Sequence, residues 1–186
     1  GGKFFFGVDV REHGSGNAGA TNTYRVLGPK VAIPVFVVDT LKGFFAVRLM
    51  VLLAALAPEA CLTIYHQFAL GIAAVLGHMY PLFAGFRGGK GVATLCGVVL
   101  ALQPLATLIA FGIFVLVLLS TGYVSVGSMA AGILFPLILL TLFPGSPTPL
   151  VVFAVILALL LIYTHRKNIQ RLLKGQENRF YFRRQK

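Results

Sequence analysis

The chain alternates long apolar runs with short polar stretches. A helix that crosses the hydrocarbon core of a bilayer needs about 20 apolar residues, and fewer where protein surrounds it. The sequences LQP at 102–104 and PGSPTP at 144–149 separate neighbouring runs, because proline can begin a helix but cannot continue one. We predict an all-α, polytopic integral membrane bundle of about six transmembrane helices. The predicted helices are residues 31–57, 62–84, 91–102, 104–120, 126–143 and 150–163.

The composition agrees with a membrane protein. Hydrophobic residues make up 58% of the 186-residue chain and charged residues 11%, and the mean hydropathy is +0.88. These values leave too little polar surface for a soluble globule of this size. We expect a single integral membrane domain over residues 1–186.

The distribution of charge predicts how the chain is oriented. Sixteen Lys and Arg against five Asp and Glu give a net charge of +11. All but two of these sixteen lie in residues 1–30, 77–91 and 165–186, whereas 102–104 and 144–149 contain none. Because cytoplasmic loops of membrane proteins are enriched in Lys and Arg, we place both termini and the basic stretches in the cytoplasm. This explains the basic charge without nucleic acid, and we expect no nucleic-acid partner.

Three polar segments on that side carry unusual residues: the first at 11–28, the second at 77–94 and the third at 165–179. The first contains GSGNAGATNTYRVLG, whose glycines match the G-x-G-x-x-G spacing of a dinucleotide-binding loop, with Asp39 twenty residues further on. The alternating strands and amphipathic helices of such a domain are missing, so we reject that interpretation.

We interpret the first polar segment as a site for an oxyanion. Glycines let the backbone approach an anion closely, while short polar side chains and an arginine bond to phosphate oxygens. The alternative is an ordinary glycine-rich loop. The candidate side chains are Ser15, Asn17, Thr21, Asn22 and Arg25.

The second polar segment, GHMYPLFAGFRGGKGVAT, predicts phosphate binding without nucleotide hydrolysis. Gly88, Gly89 and Gly91 surround Lys90 directly before an apolar helix, where N–H groups and the helix dipole favour an anion. It is not a Walker P-loop, because Ala84 stands where the first glycine belongs and Gly91 replaces the Ser or Thr that holds magnesium. The alternative for Lys90 is a lysine that extends to the membrane surface.

The third polar segment begins HRKNIQRLLKGQENRF. His165 and Asn168 are three residues apart, so they share one face of a helix, which Arg171 continues. The alternative is a basic amphipathic helix lying on anionic lipid, and the two descriptions are compatible. We expect Glu177, the only carboxylate of this segment, to pair with an arginine and stabilise the architecture.

Several ionisable residues lie near or inside the apolar runs. Asp39 and Lys42 are three residues apart in the first run, and we interpret them as a pair, because an unpaired charge is costly in a membrane. The alternative is that the Lys42 side chain faces the predicted phosphate-binding site. His78 is a second-rank candidate for the site, and His66 and His13 rank lower.

The residue inventory limits the chemistry. The polar segments and their flanks hold few carboxylates, so paired-acid hydrolysis and carboxylate-held metals are poorly supported. No histidine has an aspartate five residues after it, which removes the H-x-x-x-x-D acyltransferase arrangement. We expect no cofactor and no metal ion. The inventory suits a site that holds phosphate and stabilises developing negative charge, and acyl transfer from an activated donor fits that description.

Together the three polar segments resemble the acyl-phosphate-dependent glycerol-3-phosphate acyltransferases of bacteria, the PlsY family. The resemblance implies transfer of a fatty acyl group from acyl phosphate to the 1-hydroxyl of sn-glycerol 3-phosphate, giving lysophosphatidic acid and phosphate, the first step of bacterial phospholipid synthesis. It implies a multi-pass protein of the bacterial inner membrane with a cytoplasmic active site, without coenzyme A or metal. Membrane lipids and a soluble enzyme that makes acyl phosphate are the other partners it implies.

The resemblance also assigns residues. Ser15, Lys90 and His165 correspond to catalytic positions of the family. The substrate-binding positions are Gly16, Asn17, Thr21, Arg25, Gly88, Gly89, Gly91, Ser128 and Asn168. The family uses no protein general base, since the substrate's own phosphate takes the proton. Its members carry an additional membrane helix before the first motif, seven in all, whereas only GGKFFFGVDV precedes that motif here.

Two other functions stay open. A membrane carrier for phosphorylated organic anions would use the same cationic loops, but it is expected to show inverted repeats and broken helices near mid-membrane. A lipid-binding membrane scaffold without chemistry is the third hypothesis.

Overall fold

A computed structural model describes residues 7–56 and 64–180. These residues contain eight α-helices and no β-strand, which confirms the predicted fold class. The helices are α1 Ala20–Leu27, α2 Pro29–Leu56, α3 Ile64–Met79, α4 Val92–Leu102, α5 Pro104–Thr121, α6 Val124–Leu142, α7 Thr148–Thr164 and α8 Arg166–Leu173. Short 3₁₀ helices at Val10–Glu12 and Leu82–Ala84 precede α1 and α4.

Helices α2 to α7 occupy the six predicted apolar runs. The second run predicts a helix to residue 84, whereas α3 ends at Met79, because Pro81 cannot donate an N–H to continue it. The predicted helix end at 57, the loop 57–61 and the helix start at 62–63 lie outside the described residues.

Within residues 7–56 and 64–180, three stretches are long and apolar enough to cross a membrane: Ile64–Ala84, Pro104–Thr121 and Val124–Leu142. Helices α7 and α8, bent by 55° at their junction, make a fourth if they count as one span. Helix α4 has only 11 residues, about 16 Å of rise, too short to cross a core of about 30 Å alone. Helix α2 is longer, with 28 residues, but it contains four charged side chains. The described part of the chain thus contains six apolar helices, and three or four stretches in it are long and apolar enough for a complete crossing.

The chain forms two compact units, Gly1–Leu102 and Gln103–Lys186. In the first unit, α2 packs against α1, α3 and α4. In the second, α6 packs against α5 and α7, and α7 contacts α8. Large apolar side chains stay exposed on both units, for example Leu56 at 73% and Leu116 at 68%. Such helix faces fit the hydrocarbon of a bilayer better than water.

Glycines bring the backbones of α2 and α4 into contact. A Cβ atom at Gly97 would collide with the carbonyl oxygen of Thr40, and one at Gly43 with that of Thr94. Helices in lipid associate largely through such van der Waals packing, since burial of apolar surface gains little there. This contact fixes the start of α4, and therefore the end of the second polar segment, against α2.

Local sequence signals set the polar ends of the second unit. Pro104 begins α5, and Gly122 ends it in a left-handed conformation with φ 76°, donating its N–H to Leu118. A left-handed residue is a common helix terminator, and glycine adopts it without strain. Helices α7 and α8 meet at His165, which places this residue at the bend.

Candidate active site

Asn22 organises the first polar segment. Its residue surface is 2% exposed, and its Nδ2 lies 2.7, 3.0 and 2.9 Å from the carbonyl oxygens of Val10, His13 and Asn17. Its Oδ1 accepts the Ser15 N–H at 2.8 Å. An amide NH₂ has two hydrogens, so the three carbonyl contacts share two donors. We therefore correct the expected role of Asn22 from ligand to internal support of the loop.

Ser15 lies in the loop that Asn22 supports. The flanking Gly14 and Gly16 have φ values of 61° and 71°, which glycine adopts without strain. The side-chain oxygen of Asn17 accepts the Gly19 N–H at 2.9 Å, so that amide is oriented by the loop. The Ser15 hydroxyl makes no hydrogen bond to other described residues. The backbone of Ser15 is thus fixed while its hydroxyl stays available to a substrate.

Helix α1 carries the other candidates of the first segment. Thr21 and Arg25 are four residues apart on this helix, so they lie on the same side of it, and both are partly exposed. Thr23 is buried and donates its hydroxyl to the Gly19 carbonyl at 3.2 Å. The helix therefore separates a buried anchoring side from a side that carries the predicted ligands.

Arg11 links the first polar segment to the second. Its Nε and Nη2 bond the carboxylate oxygens of Asp9 at 2.8 and 2.6 Å, and its Nη1 donates to the Ala84 carbonyl at 2.8 Å. Hydrogen bonding to Asp9 raises the pKa of Arg11 above its ordinary value, so the guanidinium keeps its charge. The sequence patterns did not predict this link, because its partners are 73 positions apart.

The glycines of the second polar segment fold back on the end of α3. The N–H of Gly88 donates to the Met79 carbonyl at 3.1 Å, and that of Gly89 donates to the His78 carbonyl at 3.2 Å. A Cβ at Gly88 would collide with the His78 carbonyl oxygen, and one at Gly89 with Nε2 of the His78 ring. The fold therefore uses both N–H groups, and we correct their expected role from donating to phosphate to setting the path of the loop.

Lys90 and Gly91 join this loop to α4. Gly91 has a φ of 79°, and its carbonyl accepts the Leu95 N–H at 2.7 Å, which begins the helical hydrogen bonds. The N–H groups of residues 92–94 have no partner one turn earlier in the helix, and this end of a helix favours an anion. Lys90 is partly buried next to it. The predicted phosphate site therefore rests on Lys90 and the start of α4.

Asp39, Lys42 and His78 form a charged cluster in the first unit. The Lys42 Nζ lies 2.5 Å from Asp39 Oδ1 and 2.6 Å from His78 Nδ1, and Nδ1 lies 3.2 Å from the same carboxylate oxygen. The predicted Asp39–Lys42 pair is confirmed. His78 joins it from another helix, 36 positions after Lys42, so no local pattern predicted that contact.

Glu177 organises the third polar segment. Its carboxylate accepts hydrogen bonds from Ser125 Oγ, Asn168 Nδ2 and Arg171 Nε at 2.9, 2.5 and 2.8 Å. Burial alone would raise the pKa of Glu177, but these three hydrogen bonds hold it below its ordinary value. The expected pairing with an arginine is confirmed. Ser125 was missed, because nothing in YVSVGSM distinguishes it from other helical serines.

His165 lies at the junction of α7 and α8 and is 2% exposed. Its Nδ1 is 2.8 Å from the Leu161 carbonyl oxygen. A carbonyl only accepts hydrogen bonds, so Nδ1 carries a proton and the ring is held in one orientation. Asn168 is also buried, at 3%, three residues further along. The two candidates of this segment are therefore both fixed by the protein.

Ser128 is buried on α6, with 4% of its surface exposed. Its hydroxyl donates to the Val124 carbonyl of the same helix at 2.8 Å, which uses its only hydrogen. In this conformation, Ser128 can accept a hydrogen bond from a substrate but cannot donate one.

The candidate residues divide between the two units. The first unit contains the first and second polar segments, which Arg11 joins, and the second unit contains Ser128 and the third polar segment. In the second unit, Glu177 brings Ser125, Asn168 and Arg171 together. Among the residues that the structure describes, no group of three or more His, Cys, Asp or Glu could hold a metal ion.

The fold and these segments define a class of protein. It is a polytopic helical membrane protein whose polar segments present hydroxyl, amide, imidazole and cationic groups on supports built by buried hydrogen bonds. Such groups bind phosphate and stabilise negative charge as it develops during a reaction.

Comparison with known proteins identifies the family. The family model described as glycerol-3-phosphate acyltransferase matches residues 1–175. The glycerol-3-phosphate acyltransferase of Fusobacterium nucleatum subsp. nucleatum is 45% identical over 181 residues, covering 97% of this chain and 89% of that protein. That of a Thermoanaerobacter species is 45% identical over 177 residues, covering 95% and 84%. The chain belongs to the glycerol-3-phosphate acyltransferase family, which confirms the resemblance.

Two solved structures share the fold. A crystal structure of PlsY, an integral membrane glycerol 3-phosphate acyltransferase, in its glycerol 3-phosphate form has a TM-score of 0.82 and 44% identity, covering 94% of this chain and 84% of that one. Its lysophosphatidic acid form has a TM-score of 0.77 and 43% identity, covering 90% and 81%. This chain is likewise a multi-pass membrane protein.

Proposed function

We propose that this protein transfers a fatty acyl group from acyl phosphate to the 1-hydroxyl of sn-glycerol 3-phosphate, forming lysophosphatidic acid and phosphate. The observation that supports this most strongly is the likeness, at 44% identity, to a PlsY described in a glycerol 3-phosphate form. A second form of that protein is described with lysophosphatidic acid. In this proposal the chain acts as one acyltransferase domain, in keeping with the family match over residues 1–175.

The reaction requires little acid–base catalysis by protein side chains. The glycerol hydroxyl oxygen attacks the acyl carbonyl carbon, the bond from that carbon to the phosphate oxygen breaks, and phosphate leaves with the electron pair. The hydroxyl proton passes to a substrate phosphate oxygen. Because the acyl phosphate is already activated, the protein has to orient both substrates and stabilise the negative charge on the carbonyl oxygen. The scarcity of carboxylates in the polar segments supports this division of labour.

The three polar segments serve this one reaction. Arg25 and Lys90 neutralise phosphate, Arg25 through paired N–H groups and Lys90 as a point charge. Ser15 and His165 position the donor and the acceptor, since the loop holds the backbone of the first and a carbonyl fixes the ring of the second. Asn168, oriented by Glu177, binds substrate beside His165. The remaining binding residues are Gly16, Asn17, Thr21, Gly91 and, as an acceptor, Ser128, with Gly88 and Gly89 shaping the loop.

The reaction takes place at the cytoplasmic face of the bacterial inner membrane, as the first step of phospholipid synthesis. The concentration of Lys and Arg in the polar segments supports this orientation. Membrane lipids surround the exposed apolar helix faces, and a soluble enzyme that makes acyl phosphate supplies the donor. Single cysteines introduced at Glu12, Arg87 and Lys174, all exposed, in a variant without the native cysteines, test it. A membrane-impermeant maleimide should label them only after spheroplasts are permeabilised; labelling in intact spheroplasts would contradict the orientation.

A direct assay distinguishes the functions. Purified protein receives glycerol 3-phosphate with either palmitoyl phosphate or palmitoyl coenzyme A, and lysophosphatidic acid is measured by mass spectrometry. We expect product from palmitoyl phosphate alone. Product only from the coenzyme A ester would contradict the proposed donor. Counterflow of glycerol 3-phosphate into vesicles with no acylation would instead identify an anion carrier.

A further inference from the structure

The cluster of Asp39, Lys42 and His78 has no part in the chemistry proposed above. Asp39 and Lys42 lie on α2, and His78 lies in the last turn of α3. The side chains of His78 and Asp39 are only 9% and 12% exposed, and that of Lys42 is 37% exposed. Three ionisable groups in such close contact are costly to keep inside a membrane protein unless each is bonded. Each of the three contacts another member, so the cluster is a bonded unit that can hold a neighbouring segment.

Two close contacts hold the His78 ring against α2. An ammonium group only donates hydrogen bonds, so Lys42 donates to Asp39 Oδ1, and its Nζ lies 2.6 Å from His78 Nδ1. The same ring nitrogen lies 3.2 Å from Asp39 Oδ1. The cluster thus fixes the orientation of the His78 ring.

The edge of the His78 ring that carries Nε2 lies against Gly89, later in the same polar segment. It fills the space that a side chain at Gly89 would occupy. The backbone of His78 holds the same residue, because its carbonyl accepts the Gly89 N–H at 3.2 Å. Lys90 is the next residue along the chain. The ring and its backbone therefore set the path of the loop immediately before the lysine that is proposed to bind phosphate.

We propose that Asp39, Lys42 and His78 form a charged support that positions Lys90 for the phosphate of glycerol 3-phosphate. His78 is the positioning residue that contacts the loop, while Lys42 and Asp39 hold its ring. The inference rests on the proposed function, because it concerns how one substrate of that reaction is bound. It adds three residues from two apolar helices to the determinants of glycerol 3-phosphate affinity.

The first test compares variants of the cluster. His78→Ala removes the ring, and Lys42→Met removes the donor that fixes it. Losing one hydrogen bond to a charged group at the site costs about tenfold in affinity. We expect both variants to raise the KM for glycerol 3-phosphate by at least that factor, with a much smaller change in kcat and in the KM for palmitoyl phosphate. Lys42→Arg keeps a donor and should restore most of the affinity.

Glycine substitutions provide a second test that leaves the cluster chemically intact. Gly89→Ala places a methyl group against the His78 ring and should also raise the KM for glycerol 3-phosphate. In the double variant His78→Ala, Gly89→Ala, the methyl group enters the space left by the ring, so its KM should not exceed that of His78→Ala. Gly77→Ala is the matched control, because a Cβ at Gly77 meets no atom within 4 Å. Its kinetics should equal those of the unaltered protein.

The outcomes separate this inference from the proposed function. An unaltered protein that forms no lysophosphatidic acid would overturn both. If the protein is active and its KM for glycerol 3-phosphate is unchanged by His78→Ala and Lys42→Met, only the proposed role of the cluster would be overturned. A lower kcat, higher KM values for both substrates and lower thermal stability, with no recovery in Lys42→Arg, would also overturn the proposed role of the cluster. Such a combination indicates general destabilisation.

Discussion

The buried amide of Asn22 is a sensitive point of the first polar segment. Asn22→Asp is nearly isosteric and keeps the oxygen that accepts the Ser15 N–H. It replaces the NH₂ group, which contacts the carbonyl oxygens of Val10, His13 and Asn17, with a second oxygen that cannot donate. We expect this variant to open the loop and displace Ser15.

The size of the effect follows from the hydrogen bonds that are lost. Two N–H hydrogens disappear, at about 1 kcal/mol for each hydrogen bond. Carbonyl oxygens left facing another oxygen in a buried site cost at least about 1 kcal/mol more. The total of about 3 kcal/mol lowers the equilibrium constant for the closed loop by about a hundredfold, since about 1.4 kcal/mol corresponds to a factor of ten.

Hydrogen exchange and kinetics together test this expectation. In Asn22→Asp, the amides of residues 10–19 should exchange up to about a hundredfold faster, with no change in α5 and α6. Acyl transfer should fall by at least about tenfold, because a misplaced Ser15 no longer orients its substrate. Asn22→Ala removes both the donors and the oxygen that accepts the Ser15 N–H, so its loop amides should also exchange faster than those of the unaltered protein.

A matched control makes the outcome clear. Gln170→Glu is the corresponding amide-to-acid change on an exposed residue of α8, and it should alter neither loop exchange nor activity. Normal protection of the loop in Asn22→Asp would refute the reasoning that Asn22 supports it. Normal activity with an opened loop would instead show that Ser15 does not depend on that support.

Four further predictions concern the other polar residues. Glu177→Gln should lower the thermal unfolding midpoint, because an amide NH₂ would face either Arg171 or another donor. An unchanged midpoint would contradict a stabilising role of Glu177 in the third polar segment. The pKa of Glu177 is lowered in the folded protein, so its stabilisation is present above the unfolded pKa of about 4.3 and is lost as the pH falls below that value, measurable by denaturation at stepped pH. Lys90→Ala should abolish turnover without changing the unfolding midpoint, and near-normal rates would remove Lys90 from the site. Arg11→Met should weaken binding of glycerol 3-phosphate several-fold by releasing the Ala84 carbonyl, with unchanged binding as the contrary result.

The helices were predictable because their signals are local. Each apolar run maps to one helix, and the proline at 104 marks a helix start as expected. Pro81 shows where this fails: the apolar composition of the run continues to residue 84, while the missing N–H ends α3 at Met79. Apolar composition alone does not distinguish α4 from a complete crossing, whereas its length of 11 residues does.

Most supports of the candidate site were not predictable, because their partners are distant in sequence. The Asp39–Lys42 and Arg171–Glu177 pairs are close in sequence, with separations of three and six residues, and both were predicted. Three further contacts join positions separated by 73, 36 and 52 residues, namely Arg11 with Ala84, Lys42 with His78 and Ser125 with Glu177. Residue type indicated phosphate chemistry, but it did not distinguish a proposed ligand such as Ser15 from an internal support such as Asn22.

The hydrogen bond from Arg11 to Ala84 has a consequence for cooperativity. Two stretches of backbone that share a rigid link lose much of their conformational freedom together rather than one after the other. A ligand that orders either stretch therefore reduces the entropy that a second ligand must remove from the other. Ligands of the first and the second polar segment should then bind with mutual enhancement.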